Sequence, residues 1–124
     1  MQQAKLLSEL EKRLKRALAL GGNTHTIEDI QQAIARGTMQ CFVKGDSFCI
    51  TEIIDAPQKR FLNVFLIVGD LSILELHDEV EAFAKQAGCA FMQAYGRPGW
   101  KPKIKHLGWE PSRIVFRRNI GNEP

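Results

Sequence analysis

Residues 61–95 read FLNVFLIVGDLSILELHDEVEAFAKQAGCAFMQAY, and this stretch decides the fold. Phe61–Val68 is apolar at nearly every position, which suits a central strand covered on both faces. After Gly69-Asp70 the apolar period lengthens. Leu76, Val80, Phe83, Ala84 and Ala87 stand at i, i+4, i+7, i+8 and i+11, one face of a helix. Asp70, Glu75, Asp78 and Glu79 lie near its N-terminal end, where the helix dipole favours acids, and Gly88 supplies the cap. Cys89–Tyr95 then reads as a short strand. Strand, helix and strand in so few residues predict a βαβ unit, with parallel strands and a right-handed crossover.

Upstream of this unit the period is 2. Met39–Lys44 and Ser47–Ile54 are rich in β-branched and aromatic residues, and Gly45-Asp46 between them fits a two-residue hairpin turn. Ala56–Lys59 is a further turn. Two helices precede the hairpin. Residues 4–20 place Leu7, Leu10, Leu14 and Ala17 at 3-4-3 spacing and stop at Gly21-Gly22. The second helix starts at Thr26, an N-cap followed by the first-turn acids Glu28 and Asp29, buries Ile27, Ile30, Ala33 and Ile34, and ends at Gly37. Residues 1–22 thus form an amphipathic element that packs on the chain's own sheet or docks on another subunit.

Downstream, Gly96–Pro102 is punctuated by glycine and proline and cannot continue a strand. Residues 103–107 read as a short helix or turn before Gly108-Trp109. Arg113–Arg118 reads as a last strand, with Ile114 and Phe116 on one face and Val115 on the other. The expected architecture is α/β (α+β): antiparallel N-terminal strands, a central βαβ unit and helices on both faces of a mixed sheet.

The chain has 124 residues, one domain's worth, with 44% apolar and 25% charged residues, close to the globular mean. That excludes disordered, collagen-like and coiled-coil rod classes. Apolar runs of about five residues fall far short of the roughly 18 that span a bilayer, and residues 1–22 carry no apolar signal core. The expected setting is therefore cytoplasmic, without a membrane partner. Three cysteines (Cys41, Cys49, Cys89) make no disulfide framework and fall on predicted strands as buried thiols. His25, His77 and His106 have no metal-ligand spacing, so no metal is expected.

Charge is unevenly spread. Residues 1–16 carry five Lys/Arg against two acids, residues 17–95 five against ten, and residues 96–124 seven against two. The basic C-terminal block interleaves cations with indoles: Arg97, Trp100, Lys101, Lys103, Lys105, Trp109, Arg113, Arg117 and Arg118. Cations neutralise phosphates and aromatics stack on bases, so nucleic acid is one candidate partner. A solvated face is the plainer reading of the same charges.

The element order resembles the GNAT N-acetyltransferase fold. Phe61–Trp109 carries the likeness, through Lys85-Gln86-Ala87-Gly88-Cys89 at the helix end and Lys105-His106-Leu107-Gly108-Trp109 at the close. Ala84-Lys85-x-x-Gly88-Cys89 together with Gly96-Arg97-x-Gly99-Trp100 looks like a group of small GNAT-like proteins of bacteriophages and prophages. The resemblance implies acetyl-CoA bound by the loop after the central strand, here Gly69, Asp70, Leu71, Ser72, Ile73 and Leu74. It also implies a base on the second strand, Glu52, and an acid for the leaving thiolate. The family's usual tyrosine position holds Ile104, which leaves Tyr95, the chain's one tyrosine, as the candidate acid.

The departures weigh against activity. The loop has one glycine where the family has several, and an aspartate. Two like charges about 5 Å apart repel by several kcal/mol at an effective dielectric of about 20. The main expectation is accordingly a non-catalytic GNAT-like phage component, homo-oligomeric or virion-associated, with no cofactor, in the host cytoplasm or the virion. Its contact surface would comprise Leu7, Leu10 and Leu14 with Arg97, Trp100, Lys101, Lys103, Arg117 and Arg118. The alternatives are an acyl-CoA-dependent N-acyltransferase using Glu52 and Tyr95, and a nucleic-acid-binding module.

Overall fold

The computed structural model describes residues 11–45, 47–69, 71–96 and 98–122. Helix α1 (Glu11–Leu20) buries Leu14 and Leu18. Helix α2 (Ile27–Arg36) begins at a capping box: Asp29 N donates to Thr26 Oγ1 (3.1 Å), and Thr26 N donates to Asp29 Oδ2 (2.9 Å). Gly37 closes it in the left-handed conformation. Strands β1 (Met39–Lys44) and β2 (Ser47–Asp55) form the predicted antiparallel hairpin, and β3 (Arg60–Val68) follows antiparallel to β2. A 3-10 segment (Leu71–Leu76) leads into α3 (His77–Gln86), and β4 (Met92–Ala94) returns parallel to β3. A 3-10 turn (Pro98–Trp100), the one-turn helix α4 (Lys101–Ile104) and a second 3-10 turn (Lys105–Leu107) follow. The sheet order is β1-β2-β3-β4. This is the mixed sheet with covered faces that the periodicity predicts.

The register between β2 and β3 explains how one strand feeds two cores. Ile50 pairs with Leu66 while Thr51 pairs with Val64, so Phe65 is an extra residue, a β-bulge. An extra residue reverses the inside–outside alternation. Before it, Leu62 and Val64 pack with Leu76, Val80 and Ala84 on the α3 face. After it, Leu66 and Val68 pack with Leu14, Ile30, Phe48 and Ile50 on the α1–α2 face.

Several expectations are corrected. The Arg113–Arg118 strand does not form; the chain there is irregular and its apolar side chains are exposed. A strand needs a neighbour for its N–H and C=O groups, and the described sheet stops at β4. The fourth strand is Met92–Ala94 rather than Cys89–Tyr95, and Cys89 lies in the turn before it, half-buried. The helix after β3 opens with a 3-10 turn, its α-helical part starting at His77. Leu14 is 0% exposed and fills the chain's own core, so it is not on a contact surface. Leu7 and Leu10 lie outside the described residues.

Candidate functional site

Strands β3 and β4 pair only over Leu62↔Met92, Asn63↔Gln93 and Val64↔Ala94. Beyond that point β3 runs on to Val68 while the chain turns away at Tyr95-Gly96. The parting of two parallel strands opens a cavity of about 690 Å³. Its walls come from both faces of the sheet: Thr24, Glu52 and Asn63 on one side, Leu76, His77 and Val80 on the other. Phe65, Leu66 and Ile67 border it, and along Phe65–Val68 the β3 edge turned away from β2 has no strand partner among the described residues. Unpaired edge amides beside an apolar cavity are a template for an extended ligand that carries amides of its own.

The polar centre is the pair Glu52–Asn63, cross-strand neighbours on β2 and β3. Asn63 Nδ2 donates to Glu52 Oε1 at 2.9 Å. Asn63 is 4% exposed, and its Oδ1 is buried with no hydrogen-bond partner among the described residues. A buried acceptor left unpaired costs about 1–3 kcal/mol. Glu52 also borders a second, polar recess of about 330 Å³, walled by His25, Asp29, Gln32, Arg36 and Thr38. The carboxylate therefore stands between an apolar cavity and a polar one.

Across the sheet, Trp109 Nε1 donates to His77 Nε2 at 2.8 Å. That bond requires the neutral imidazole to carry its proton on Nδ1, which is buried without a hydrogen-bond partner. The contact between His77 and Asp78 Oδ1 is 3.6 Å, too long for a hydrogen bond. Trp100 and Trp109 pack against the α3-face core. Both are only partly buried there, and both also border the cavity.

The other expected site residues are scattered unevenly. Tyr95 stands at the end of β4, on the cavity wall and exposed, and Ile104 lines the same cavity. Leu74 also borders it. Gly69 has φ +139°, and a Cβ there would strike the Ser47 side chain and approach its Cα to 2.8 Å. The close approach of β2 thus requires the glycine. Leu71, Ser72 and Ile73 belong to the 3-10 segment, and Asp70 and Arg97 lie outside the described residues. Lys103 Nζ lies over the Trp100 ring, 5.4 Å from its centroid, and Lys101 is exposed on α4. Arg117 Nη2 donates to Gly21 O at 3.1 Å, beside the end of α1, and Arg118 is exposed. Sequence reasoning missed Asn63, His77 and the wall formed by Val115 and Arg117. The signal for Asn63 was present: one polar residue inside an otherwise apolar strand.

Burial pushes the Cys49 thiol up to about 12, with the neighbouring Cys41 thiol adding to it, and burial pushes Cys41 up to about 11. Cys49 touches the cavity, yet at neutral pH it is a protonated thiol and no nucleophile.

No family model matches this sequence, and no curated protein matches it either. Solved structures do. The BH1408 protein from Bacillus halodurans, as a tetramutant, superposes with a TM-score of 0.65 at 10% identity, over 96% of this chain and 95% of that one. The aminoglycoside N-acetyltransferase AAC(6')-Iy in complex with CoA gives 0.62 at 15%, over 96% and 90%. A probable acetyltransferase gives 0.63 at 13%, over 95% and 93%. These likenesses show a GNAT-like fold along nearly the whole chain. They lend nothing to the non-catalytic, virion-associated role expected from the loop.

Proposed function

We infer that this chain is an acyl-CoA-dependent N-acyltransferase acting on a primary amine. The observation that carries the reading is the cavity between the parted strands β3 and β4, with the Glu52–Asn63 pair on its wall. The likeness to acetyltransferases of the same fold, one of them in complex with CoA, supports it.

The chain's residues divide the work as follows. The free β3 edge along Phe65–Val68 pairs with the amides of the extended pantetheine arm and holds the thioester in the apolar cavity. The amine enters through the polar recess. Glu52, which borders both the recess and the apolar cavity, takes the proton that the nitrogen loses as it attacks the thioester carbonyl. A C–N bond forms, the C–S bond breaks, and the Tyr95 hydroxyl gives its proton to the departing thiolate and regains one from solvent. Asn63 acts on Glu52, because its Nδ2 fixes the carboxylate's direction. The loop after β3 carries one glycine, and that glycine accommodates Ser47. Affinity in this account rests on the arm rather than on the phosphates.

The test is acylation of a panel of primary amines by acetyl-CoA, read as product mass. Mass avoids thiol reagents, which would also titrate Cys89. An acylated amine that forms with enzyme and not without it is expected. No product from any amine, together with no binding of acetyl-CoA, would overturn the reading.

A further inference from the structure

The polar recess beside Glu52 holds both signs of charge. Its walls carry the carboxylates of Asp29 and Glu52 and the guanidinium of Arg36. The two carboxylates are not equivalent. Asp29 Oδ2 accepts from Thr26 N at 2.9 Å, which commits that group to the α2 cap. Glu52 is the acid that also borders the apolar cavity. Arg36 is exposed in the last turn of α2 and forms no ion pair among the described residues. The chain order explains how a cation and an anion come to share a recess without meeting. Arg36 closes α2, Gly37-Thr38 turns the chain, and Met39 pairs with Glu52 across the β1–β2 ladder. Opposite charges held apart on one wall match a ligand that carries the complementary two: an ammonium for Glu52 and a carboxylate for Arg36. The planar guanidinium takes a carboxylate through two parallel hydrogen bonds. A volume of about 330 Å³ is near the lower end of ligand cavities, roughly 300–1,000 Å³, which suits one small molecule.

We propose that the acceptor is a free amino acid and that Arg36 is the residue that selects it. The proposal rests on the reading of Glu52 as the base. The acceptor's carboxylate docks on Arg36 at the solvent side of the recess. Its amine is thereby turned toward Glu52 and the cavity that holds the thioester. The transfer forms a C–N bond and breaks the C–S bond, and it yields an N-acyl amino acid and free CoA thiol. The carboxylate of the acceptor is unchanged by it. Selection works in both directions. A bare amine leaves Arg36 without a partner, and a bare carboxylate brings its charge against Glu52 and Asp29.

The test uses the full chain with glycine, β-alanine and γ-aminobutyrate, and with methylamine, ethylamine and propylamine, the same molecules without the carboxylate. Binding is read first, from the backbone amide resonances of Gly37, Thr38 and Glu52, because it needs no turnover. At least one amino acid should give saturable shifts and bind about tenfold or more tighter than its matched amine. Arg36→Met should remove that advantage, and Arg36→Lys, which keeps the charge and loses the fork, should fall between. Transfer from acetyl-CoA is read second, as product mass, with the same order of preference expected. No saturable shift with any amino acid overturns the proposal. So does equal binding of amino acid and amine, or a preference that survives Arg36→Met. Binding that depends on Arg36, with no transfer to any probe, would overturn the acyltransferase reading and leave the amino-acid recess standing.

Discussion

Asn63 Nδ2 lies 2.9 Å from Glu52 Oε1, and the other end of the same amide, Oδ1, is buried without a partner. One side chain thus holds a carboxylate in place and keeps an unsatisfied acceptor closed to solvent beside a cavity. Folding gains nothing from the second feature.

Glu52→Gln keeps the size of the side chain and removes the base. Acyl transfer should fall by about 100-fold or more, the usual contribution of general base catalysis. The acetyl-CoA dissociation constant should stay within about twofold, because Glu52 does not hold the donor. Steady-state rates and a direct titration separate the two.

Asn63→Leu replaces both polar atoms by apolar ones of similar volume and removes the buried orphan. Denaturant unfolding should show stability unchanged or raised by about 1 kcal/mol. Acyl transfer should fall in the same protein. A loss of several kcal/mol would mean that Oδ1 has a partner in the folded chain.

Gly69→Ala meets two obstacles. The φ of +139° is foreign to alanine, and the new Cβ would drive into Ser47. We expect a loss of roughly 2–3 kcal/mol by denaturant unfolding. Gly37→Ala has a positive φ but open space around it, and should cost about 1 kcal/mol.

The α2 capping box gives a pH signature. The backbone N–H of Thr26, and then its hydroxyl, hold the Asp29 carboxyl below its ordinary value of 3.8. A depressed folded value adds stability that is present above the unfolded value and is lost as pH falls through the folded one. Asp29→Asn should flatten that part of the acid limb of the stability curve. Thr26→Ala should cost about 1 kcal/mol at neutral pH.

Thiol reactivity should rank by burial. Cys41 and Cys49, raised to about 11 and about 12, should be silent to a thiol reagent at pH 8 until the protein unfolds. Half-buried Cys89 is raised less and should react first, as one thiol per chain.

Much of this architecture was written in local patterns. The run Phe61–Val68, the helical face Val80–Ala84, the Thr26 cap and the hairpin at Gly45 each follow from a period or a turn residue that acts within a few positions. What escaped was non-local. The segment 113–118 has a strand's alternation, but alternation supplies no neighbour, and among the described residues the segment pairs with none. The bulge at Phe65 arises from pairing with β2 and leaves no mark in composition. Leu14 sits on an amphipathic stripe that serves a core or an interface equally well, and only packing decides. For the site, Glu52 was legible through its strand, whereas its link to Asn63 depends on the β2–β3 register. The Trp109–His77 bond joins residues 32 positions apart and has no sequence signature.

The most direct test of the central claim is a calorimetric titration of the full chain with acetyl-CoA at two temperatures, so that a chance zero of enthalpy cannot hide binding. The account predicts saturable one-to-one binding with a micromolar dissociation constant, weakened by a bulky side chain at Ala94 on the cavity wall. No heat at either temperature up to millimolar acetyl-CoA would contradict it.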